Sequence, residues 1–223
     1  MKRGGSPRGK AVISVSASQK KRRDVGPTTS KGRERRTDIL RAARTVFEER
    51  GFLETRVADI VALADVSQGT FYTYFDSKEA VFVEVAESVI ETMLDNLHTD
   101  YVSGMGSVER IRRAMVRFVD AYRPNAVMIG LIEQVGTFTP AMRQLRLRLR
   151  ESFVARSAQG IRRMQKDGVA DPSVNAVMIA EVLGAMVDQT CYLWFFLGKE
   201  FDAPAVVEAL TTVWARGVGV VES

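Results

Sequence analysis

The chain has 223 residues, of which 46% are hydrophobic and 26% are charged, and this composition excludes a fibrous or wholly disordered protein. Its longest apolar runs, at 126–132 and 191–197, are too short to cross a bilayer, and the run at 11–15 is too brief for the core of a signal peptide. We therefore expect a cytoplasmic protein, and the single cysteine, Cys191, excludes an internal disulfide and is compatible with a reducing compartment.

Positive charge is concentrated at the N-terminus. Residues 1–36 hold twelve Lys or Arg and two acidic residues, a charge of +10, whereas the whole chain has a formal net charge of +5. Residues 1–31 are rich in Gly, Ser and Pro and poor in aromatic side chains, which predicts a disordered basic arm. Such an arm can follow DNA phosphates and add salt-dependent affinity, but it can equally be a solubilising tail or the result of a misassigned start.

The first predicted elements are three helices that lie close together in the sequence. Apolar residues at helical spacing predict a helix over 35–50, which Gly51 ends, and a short helix over 57–64. Ser67 is placed to cap a second short helix that runs to Phe75. Two short helices joined by so brief a turn must cross steeply, and this helix-turn-helix arrangement can present a helix to the DNA major groove.

The rest of the chain also predicts helices. No segment shows sustained period-two alternation, so the expected fold class is all-α. The predicted helices run from a cap at Ser77 to about His98, from Ser107 to Tyr122 before Pro124, over 126–135, from Thr139-Pro140 to Lys166, from Asp171-Pro172 to Leu197, and from Ala203-Pro204 onward.

Residues 35–82 carry several short motifs in order. The chain reads F-E-E-R-G-F at 47–52, T-R-V-A-D-I-V at 55–61, A-D-V-S-Q-G-T-F-Y-T-Y-F at 64–75 and K-E-A-V-F at 78–82. This succession resembles the DNA-binding region of TetR-family transcriptional repressors. The resemblance implies a helix-turn-helix domain over 32–78, followed by a helical effector-binding and dimerisation domain over 79–223.

Two positions depart from the family pattern. Asp65 stands in the turn where the family usually has Gly, and Asp is one of the few other residues that tolerate a left-handed backbone, so the turn is expected to form. Arg56 stands where Ser or Thr is usual near the start of the second helix. Thr55 is therefore the expected cap of that helix.

The resemblance implies which residues contact DNA. Gln can pair with adenine and a Thr methyl can meet a thymine methyl, while a residue without a side chain lets the backbone approach the duplex. The alternative for the two tyrosines is that they are core aromatics. The implied base contacts are Gln68, Gly69, Thr70 and Thr73, the implied phosphate contacts are Tyr72, Tyr74 and Lys78, and Thr55 and Arg56 are candidates for reaching the DNA backbone.

Specificity for a genomic site favours a two-fold dimer on an inverted repeat, because one small reading unit contacts few base pairs. The resemblance implies that the last two helices of each subunit form a four-helix interface. The alternative is that their excess of apolar residues is ordinary core. Candidate interface residues are Ala180, Gly184 and Ala185 on the first of these helices and Leu210, Val213, Trp214 and Gly217 on the second.

The middle helices are the expected site of an apolar small-molecule effector. Bulky central side chains are candidates for its walls, although each is also explained as plain core. The candidate wall residues are Phe118, Tyr122, Met128, Leu131, Phe138, Phe153, Met186 and Trp194, and the polar residues Glu133, Gln134, Asp188 and Gln189 are candidates for orienting a ligand.

These patterns predict a ligand-responsive DNA-binding regulator, a homodimeric repressor that leaves a palindromic operator when the effector binds. The alternative is an architectural DNA-binding protein without an effector. An enzyme is disfavoured because His98 is the only histidine, which leaves a catalytic triad or a multi-histidine metal site incomplete. We expect no cofactor and no metal, and we expect Cys191 to be a buried small hydrophobe.

Overall fold

A computed structural model of the protein describes residues 29–97 and 105–220, and all regular elements in these two ranges are helices. The all-α fold class is therefore confirmed. A 3₁₀ turn at Arg123–Asn125 and a π-helical turn at Tyr192–Phe196 interrupt the α-helical pattern. The α-helices are α1 (Ser30–Glu54), α2 (Val57–Leu63), α3 (Gln68–Tyr74), α4 (Lys78–Asn96), α5 (Ser107–Tyr122), α6 (Ala126–Val135), α7 (Pro140–Lys166), α8 (Ala176–Cys191) and α9 (Ala203–Gly217).

Helix α1 begins earlier than the sequence predicts. Thr29 caps it by accepting a hydrogen bond from the Gly32 N–H at 3.2 Å, so the helix starts at Ser30 rather than at residue 35. The last residues of the predicted disordered arm are thus helical, while residues 1–28 and His98 lie outside the described residues. Gly51 interrupts the helix as predicted, with a φ of 74° that favours glycine.

An aromatic cluster joins the first helices to α4. The Phe47 ring lies 5.2 Å from the ring of Phe82 on α4, and the Phe52 ring lies 4.9 Å from the same ring, both edge-on. Ile60 of α2 and Phe71 of α3 are fully buried in the same core. Helix α1 also packs against α6, so the apolar core continues from the N-terminal helices into the rest of the molecule.

We call the part of the chain from residue 79 onward the larger part. In it, α7 packs along α8 and α5 packs along α9. The predicted start of α8 at Asp171-Pro172 is wrong. Asp171 forms a turn by accepting the Ser173 N–H at 2.8 Å, and the helix begins four residues later because Asn175 accepts the N–H groups of the first helical turn. The predicted starts of α5, α7 and α9 are confirmed, α7 and α9 being capped by Thr139 and Asp202.

Helix α8 and the π-helical turn form one stretch over Ala176–Phe196. By length and composition this stretch could cross a membrane, and 28% of its apolar 18-residue window is buried within the chain. The sequence analysis considered only uninterrupted apolar runs, and it missed this stretch because Glu181 and Asp188 interrupt it. The turn is held by the Phe196 ring, which lies directly on Gly130 of α6, where a Cβ atom would collide with it.

Candidate functional site

The turn between α2 and α3 adopts the predicted left-handed conformation. Asp65 has a φ of 51°, and the Val66 N–H donates to the Val61 carbonyl at 3.1 Å. Ser67 then caps α3, since its hydroxyl oxygen accepts the Thr70 N–H at 3.0 Å. The predicted turn and the predicted cap are both confirmed.

Helix α3 has one buried face and one open face. Phe71 and Phe75 point into the core with 0% and 2% exposure. On the opposite side Gln68, Gly69 and Thr73 are exposed, and Tyr72 is 53% exposed. The structure therefore brings four of the predicted contact residues to one surface, which we call the recognition face (Gln68, Gly69, Tyr72 and Thr73).

Three further candidates lie at the edge of the recognition face or near it. Thr70 is half-buried, and its hydroxyl lies 2.9 Å from the Ser67 hydroxyl, which holds it at the helix start. Tyr74 is half-buried and packs against the hydrophobic core, in agreement with its alternative interpretation as a core aromatic. Arg56 is exposed at the beginning of α2.

Two candidates do not reach this surface. Thr55 is 1% exposed and its hydroxyl donates to the Gly51 carbonyl at 2.7 Å, so it closes α1. The expectation that Thr55 caps α2 is wrong, because Arg56 holds the cap position and its N–H donates to the Asp59 carboxylate at 3.0 Å. The Lys78 ammonium donates to the carbonyls of Phe52 at 2.7 Å, Leu53 at 3.3 Å and Thr55 at 2.8 Å.

The position of Lys78 changes the expected effect of replacing it. Its charge satisfies carbonyls at the C-terminus of α1 and lies 4.5 Å over the Phe52 ring, so Lys78→Met should lower the free energy of unfolding by about 1 to 3 kcal/mol. The salt dependence of DNA binding should not change, because this ammonium is already engaged within the protein. Urea unfolding and binding titrations at several salt concentrations measure both quantities. A lower salt slope with unchanged stability would instead assign Lys78 to a phosphate.

Helices α8 and α9 present an apolar surface to solvent. Met178 is 62% exposed, Val182 56% and Val213 46%, and Ala185 and Ala209 of the same two helices are also exposed. We call these five residues the outer α8–α9 face. Among the other predicted interface residues, Ala180 and Leu210 are buried in their own subunit, Gly217 packs against Leu183 of the same chain, and Gly184 and Trp214 are half-buried.

Most of the predicted effector residues lie in the interior of the larger part. The Phe118 ring is 6.0 Å from the rings of both Tyr122 and Phe153, and the Tyr122 ring is 6.1 Å from that of Phe195, which stacks on Trp194 at 4.3 Å. We call these five residues the aromatic cluster.

The remaining predicted wall residues do not belong to this set of rings. Met128 and Leu131 are buried on α6, and Met186 is half-buried on α8. Phe138 does not line the interior. It is 45% exposed, and its ring lies 6.4 Å from that of Phe52 at the end of α1.

Acidic residues of α6 and α8 act electrostatically on Tyr122 of the aromatic cluster. The Tyr122 hydroxyl is buried and has no hydrogen-bond partner within the described ranges. Burial raises the pKa of Tyr122, and the nearby Asp188 carboxylate raises it further. Burial also raises the pKa of Asp188 to about 6, with Glu133 adding to the rise and Arg150 and Arg146 opposing it. Both arginines are engaged elsewhere, Arg146 with Glu133 and Arg150 with Glu181.

Of the other residues in this region, Gln134 and Gln189 are exposed rather than turned toward the rings. Cys191 is fully buried, and burial raises the pKa of its thiol to about 12. This agrees with the prediction that Cys191 acts as a small hydrophobe.

The raised pKa of Asp188 predicts a pH-dependent stability. The folded protein holds this proton more tightly than the unfolded chain, so the stability that protonation contributes is lost as the pH rises from 3.8 through about 6. Asp188→Asn mimics the protonated group and should raise the free energy of unfolding by about 1 to 3 kcal/mol near pH 7.5, with little effect near pH 4. Urea unfolding at both pH values measures this. The exposed Asp120→Asn should change neither, and an equal effect of Asp188→Asn at both values would contradict the assignment.

One set of hydrogen bonds joins α1 to the helix that carries Tyr122. The Arg44 guanidinium donates to the Pro124 carbonyl at 3.3 Å and to the Asn125 side-chain oxygen at 3.0 Å. Asn125 is buried and donates in turn to the Ala121 carbonyl at 2.8 Å, next to Tyr122 in the chain. The sequence analysis missed this link, since its residues are 81 positions apart and no local pattern marks the pairing. Phe195 was also missed, although its aromatic neighbours were a usable signal.

Known proteins share both the N-terminal motifs and the whole fold. The family model described as bacterial regulatory proteins, tetR family, matches residues 39–85. The HTH-type transcriptional regulator EthR of Mycolicibacterium smegmatis is 26% identical over 199 residues, which cover 88% of this chain and 90% of that protein. The HTH-type transcriptional repressor KstR2 of Rhodococcus jostii is 36% identical over 73 residues, which cover 33% of this chain and 36% of that protein.

The fold comparison extends over the larger part as well. The structure of Salmonella enterica GusR has a TM-score of 0.71 and 22% identity to this protein, and the match covers 86% of this chain and 98% of that one. At this identity the likeness concerns the fold. The relatives are regulators of transcription and not enzymes. Together with the matched N-terminal motifs and the all-helical architecture, they support a TetR-family transcriptional regulator.

Proposed function

We propose that the protein is a cytoplasmic, homodimeric repressor that binds an inverted-repeat operator through α3 and leaves it when an apolar small molecule enters the larger part. TetR-family regulators bind DNA and typically act as homodimers with small-molecule effectors. The observation that carries the proposal is the recognition face, an exposed polar surface on a short helix whose other side is fixed in the core by Phe71 and Phe75. We assign residues 32–78 to DNA binding and 79–223 to effector binding and dimerisation.

The recognition face has the composition needed to read a major groove. Gln68 can donate to and accept from adenine, Thr73 offers a methyl group, and Gly69 lets the backbone approach the duplex. Tyr72 is positioned to contact a phosphate from the exposed side of the helix. Of the remaining candidates, Arg56 and Thr70 stay in the proposed contact set, whereas Thr55, Tyr74 and Lys78 support the surface from behind.

Dimerisation through the outer α8–α9 face explains why apolar residues are exposed there. Met178, Val182 and Ala185 recur along one side of α8, and Ala209 and Val213 along α9, with small residues that permit close helix approach. Covering this face with the same face of a second copy forms a four-helix interface with two-fold symmetry. The same interface accounts for the low burial of the apolar stretch Ala176–Phe196 in a single chain. Sedimentation of the purified chain without detergent tests a dimer against a membrane-inserted form.

The contacts of Arg44 suggest how an effector could act on the DNA-binding helices. Tyr122 belongs to the aromatic cluster, and the next residues of the chain, Pro124 and Asn125, hold Arg44 of α1. A ligand that moves the end of α5 therefore displaces α1, and with it the spacing of the two recognition faces in the dimer. The larger part can control DNA binding through this link.

Selection of bound fragments from random DNA by the purified chain tests the proposed function. The proposal expects an inverted repeat whose two halves are separated by one helical turn of DNA, about 34 Å, and footprinting should protect that repeat alone. The alternative function, an architectural DNA-binding protein, expects broad protection and no enriched sequence. Enrichment of a single unpaired half-site would contradict the dimeric arrangement.

Replacing Gln68 by alanine tests base reading directly. Gln68→Ala should weaken binding to the selected operator by about tenfold or more, because a paired base contact contributes about 1 to 3 kcal/mol, and it should relax the preference at one position of each half-site. Binding to random DNA should change little. Gln134→Ala, an exposed glutamine on α6, serves as the control. Titrations against a set of single-base operator variants measure the preference, and a uniform loss on all sequences would remove Gln68 from the reading set.

A further inference from the structure

The Tyr122 hydroxyl is a buried polar group that the described part of the fold leaves without a hydrogen bond. Tyr122 is 1% exposed, and within residues 29–97 and 105–220 its hydroxyl is the buried side-chain oxygen or nitrogen without a hydrogen-bond partner. A buried hydroxyl without a partner is costly, and such groups in a native structure have a reason to persist. A ligand that supplies the missing partner is one such reason.

The electrostatic surroundings of this hydroxyl are acidic. Asp188 and Glu133 both act on Tyr122 as negative charges, and Cys191 and Tyr192 add no positive charge. The two arginines that act on Asp188 are hydrogen-bonded to other acidic residues, since Arg146 pairs with Glu133 and Arg150 donates to both the carboxylate and the carbonyl of Glu181. Among the described residues, the half-buried Asp188 therefore has no ion pair of its own with a cation.

The remaining walls are aromatic. The Phe118 and Phe195 rings lie about 6 Å from the Tyr122 ring. Phe153 extends this set from Phe118 at 6.0 Å and Trp194 from Phe195 at 4.3 Å, and all four are half-buried, so they are reachable from the surface. Arg123 already lies 5.3 Å over the Phe195 ring from the exposed side, which shows that one of these rings accepts a cation on its face. Aromatic walls suit both a hydrocarbon body and an organic cation.

We propose that this site takes an apolar amine in its protonated form, with the ammonium donating to the Asp188 carboxylate and to the Tyr122 hydroxyl oxygen and the hydrocarbon lying among the rings of the aromatic cluster. The inference rests on the proposed function, in which the larger part binds an effector. An amine satisfies both the unpaired hydroxyl and the uncompensated carboxylate. A neutral alcohol satisfies the hydroxyl alone, and a carboxylate meets the repulsion of Asp188.

Three ligands with the same hydrocarbon test the charge preference: decylammonium, decanol and decanoate, each below its micelle concentration. Binding to the full chain is measured by calorimetry and by Trp fluorescence. We expect decylammonium to bind about tenfold or more tightly than decanol, and decanoate to bind least. Equal binding of all three, tighter binding of decanoate, or no binding of decylammonium to the folded protein would overturn the proposal.

Substitutions assign the preference to this site. Asp188→Asn should remove the advantage of decylammonium over decanol, and Tyr122→Phe should weaken both ligands by several-fold while the protein stays folded. Asp120→Asn, an exposed carboxylate on the same helix as Tyr122, is the control and should leave both affinities unchanged. An amine preference that survives Asp188→Asn would contradict the assigned role of this carboxylate.

Operator release is measured separately, so that the two proposals can fail independently. If decanoate releases the selected operator and decylammonium does not, the repressor function stands and the amine site is wrong. If decylammonium binds with the expected preference but no ligand affects a selective DNA complex, the site stands and the effector-controlled function is wrong.

Discussion

Val182→Glu should convert the protein into a monomer and weaken operator binding by about a hundredfold or more. Val182 is 56% exposed on the outer α8–α9 face, and the two-fold axis of a dimer would bring two such glutamates into one apolar interface. A monomer contacts one half-site at a time and loses the gain in affinity that two linked contacts provide, about 10²- to 10⁴-fold. Sedimentation velocity and operator titrations measure the two effects.

Val127→Glu is the matched control for this substitution. Val127 is 42% exposed on α6, outside the outer α8–α9 face, so the same change of residue should leave both the dimer and the operator affinity intact. A Val182→Glu protein that still sediments as a dimer would exclude this face as the interface. A monomer that keeps full operator affinity would exclude the two-half-site arrangement instead.

Phe71→Ala should lower the free energy of unfolding by about 3 to 5 kcal/mol, the loss typical of removing a fully buried phenylalanine. Phe71 lies beneath the recognition face, with the Phe75 ring 5.7 Å away and the Tyr72 ring 5.3 Å away. Without it α3 loses its support, so DNA binding should also fall although Phe71 is not exposed to DNA. Urea unfolding and operator titration report the two losses.

Tyr72→Ala separates support of α3 from contact with DNA. This neighbouring side chain is 53% exposed, so its removal should change the free energy of unfolding by less than about 1 kcal/mol while weakening operator binding. If Phe71→Ala and Tyr72→Ala destabilise the protein equally, Tyr72 belongs to the core. If neither alters DNA binding, the recognition face is on another helix.

The DNA-binding helices could be predicted closely because their signals are local. Ser67 and Ser77 each cap a helix by accepting a hydrogen bond from the N–H group three residues later in the chain. Asp65 adopts the left-handed conformation that the turn requires. Each depends on atoms within a few positions of the chain. The same locality explains the error at Thr55, where two adjacent residues could each serve as a cap and the contact with Gly51 decided between them.

The effector region could be predicted only in part. Helical spacing placed Phe118, Tyr122 and Trp194 in the interior, but Phe138 lies at the surface because α6 ends at Val135 and the following turn runs toward α1. Periodicity gives the face of a helix and not the neighbour that covers it. The packing of the helices therefore decided which apolar residues could form the walls of an effector site.

By itself, the sequence determined the helical class and the short-helix pair with its turn and caps, because periodicity and capping act over one or two turns of helix. Its resemblance to the TetR family, and not periodicity, implied Gln68, Gly69 and Thr73 as DNA contacts. Only the tertiary structure decided that Lys78 binds carbonyls at the end of α1, that Arg44 binds the turn after α5, and that the Tyr122 hydroxyl has no hydrogen-bond partner among the residues that the structure describes. These three depend on groups brought together from distant parts of the chain, whose positions no local pattern encodes.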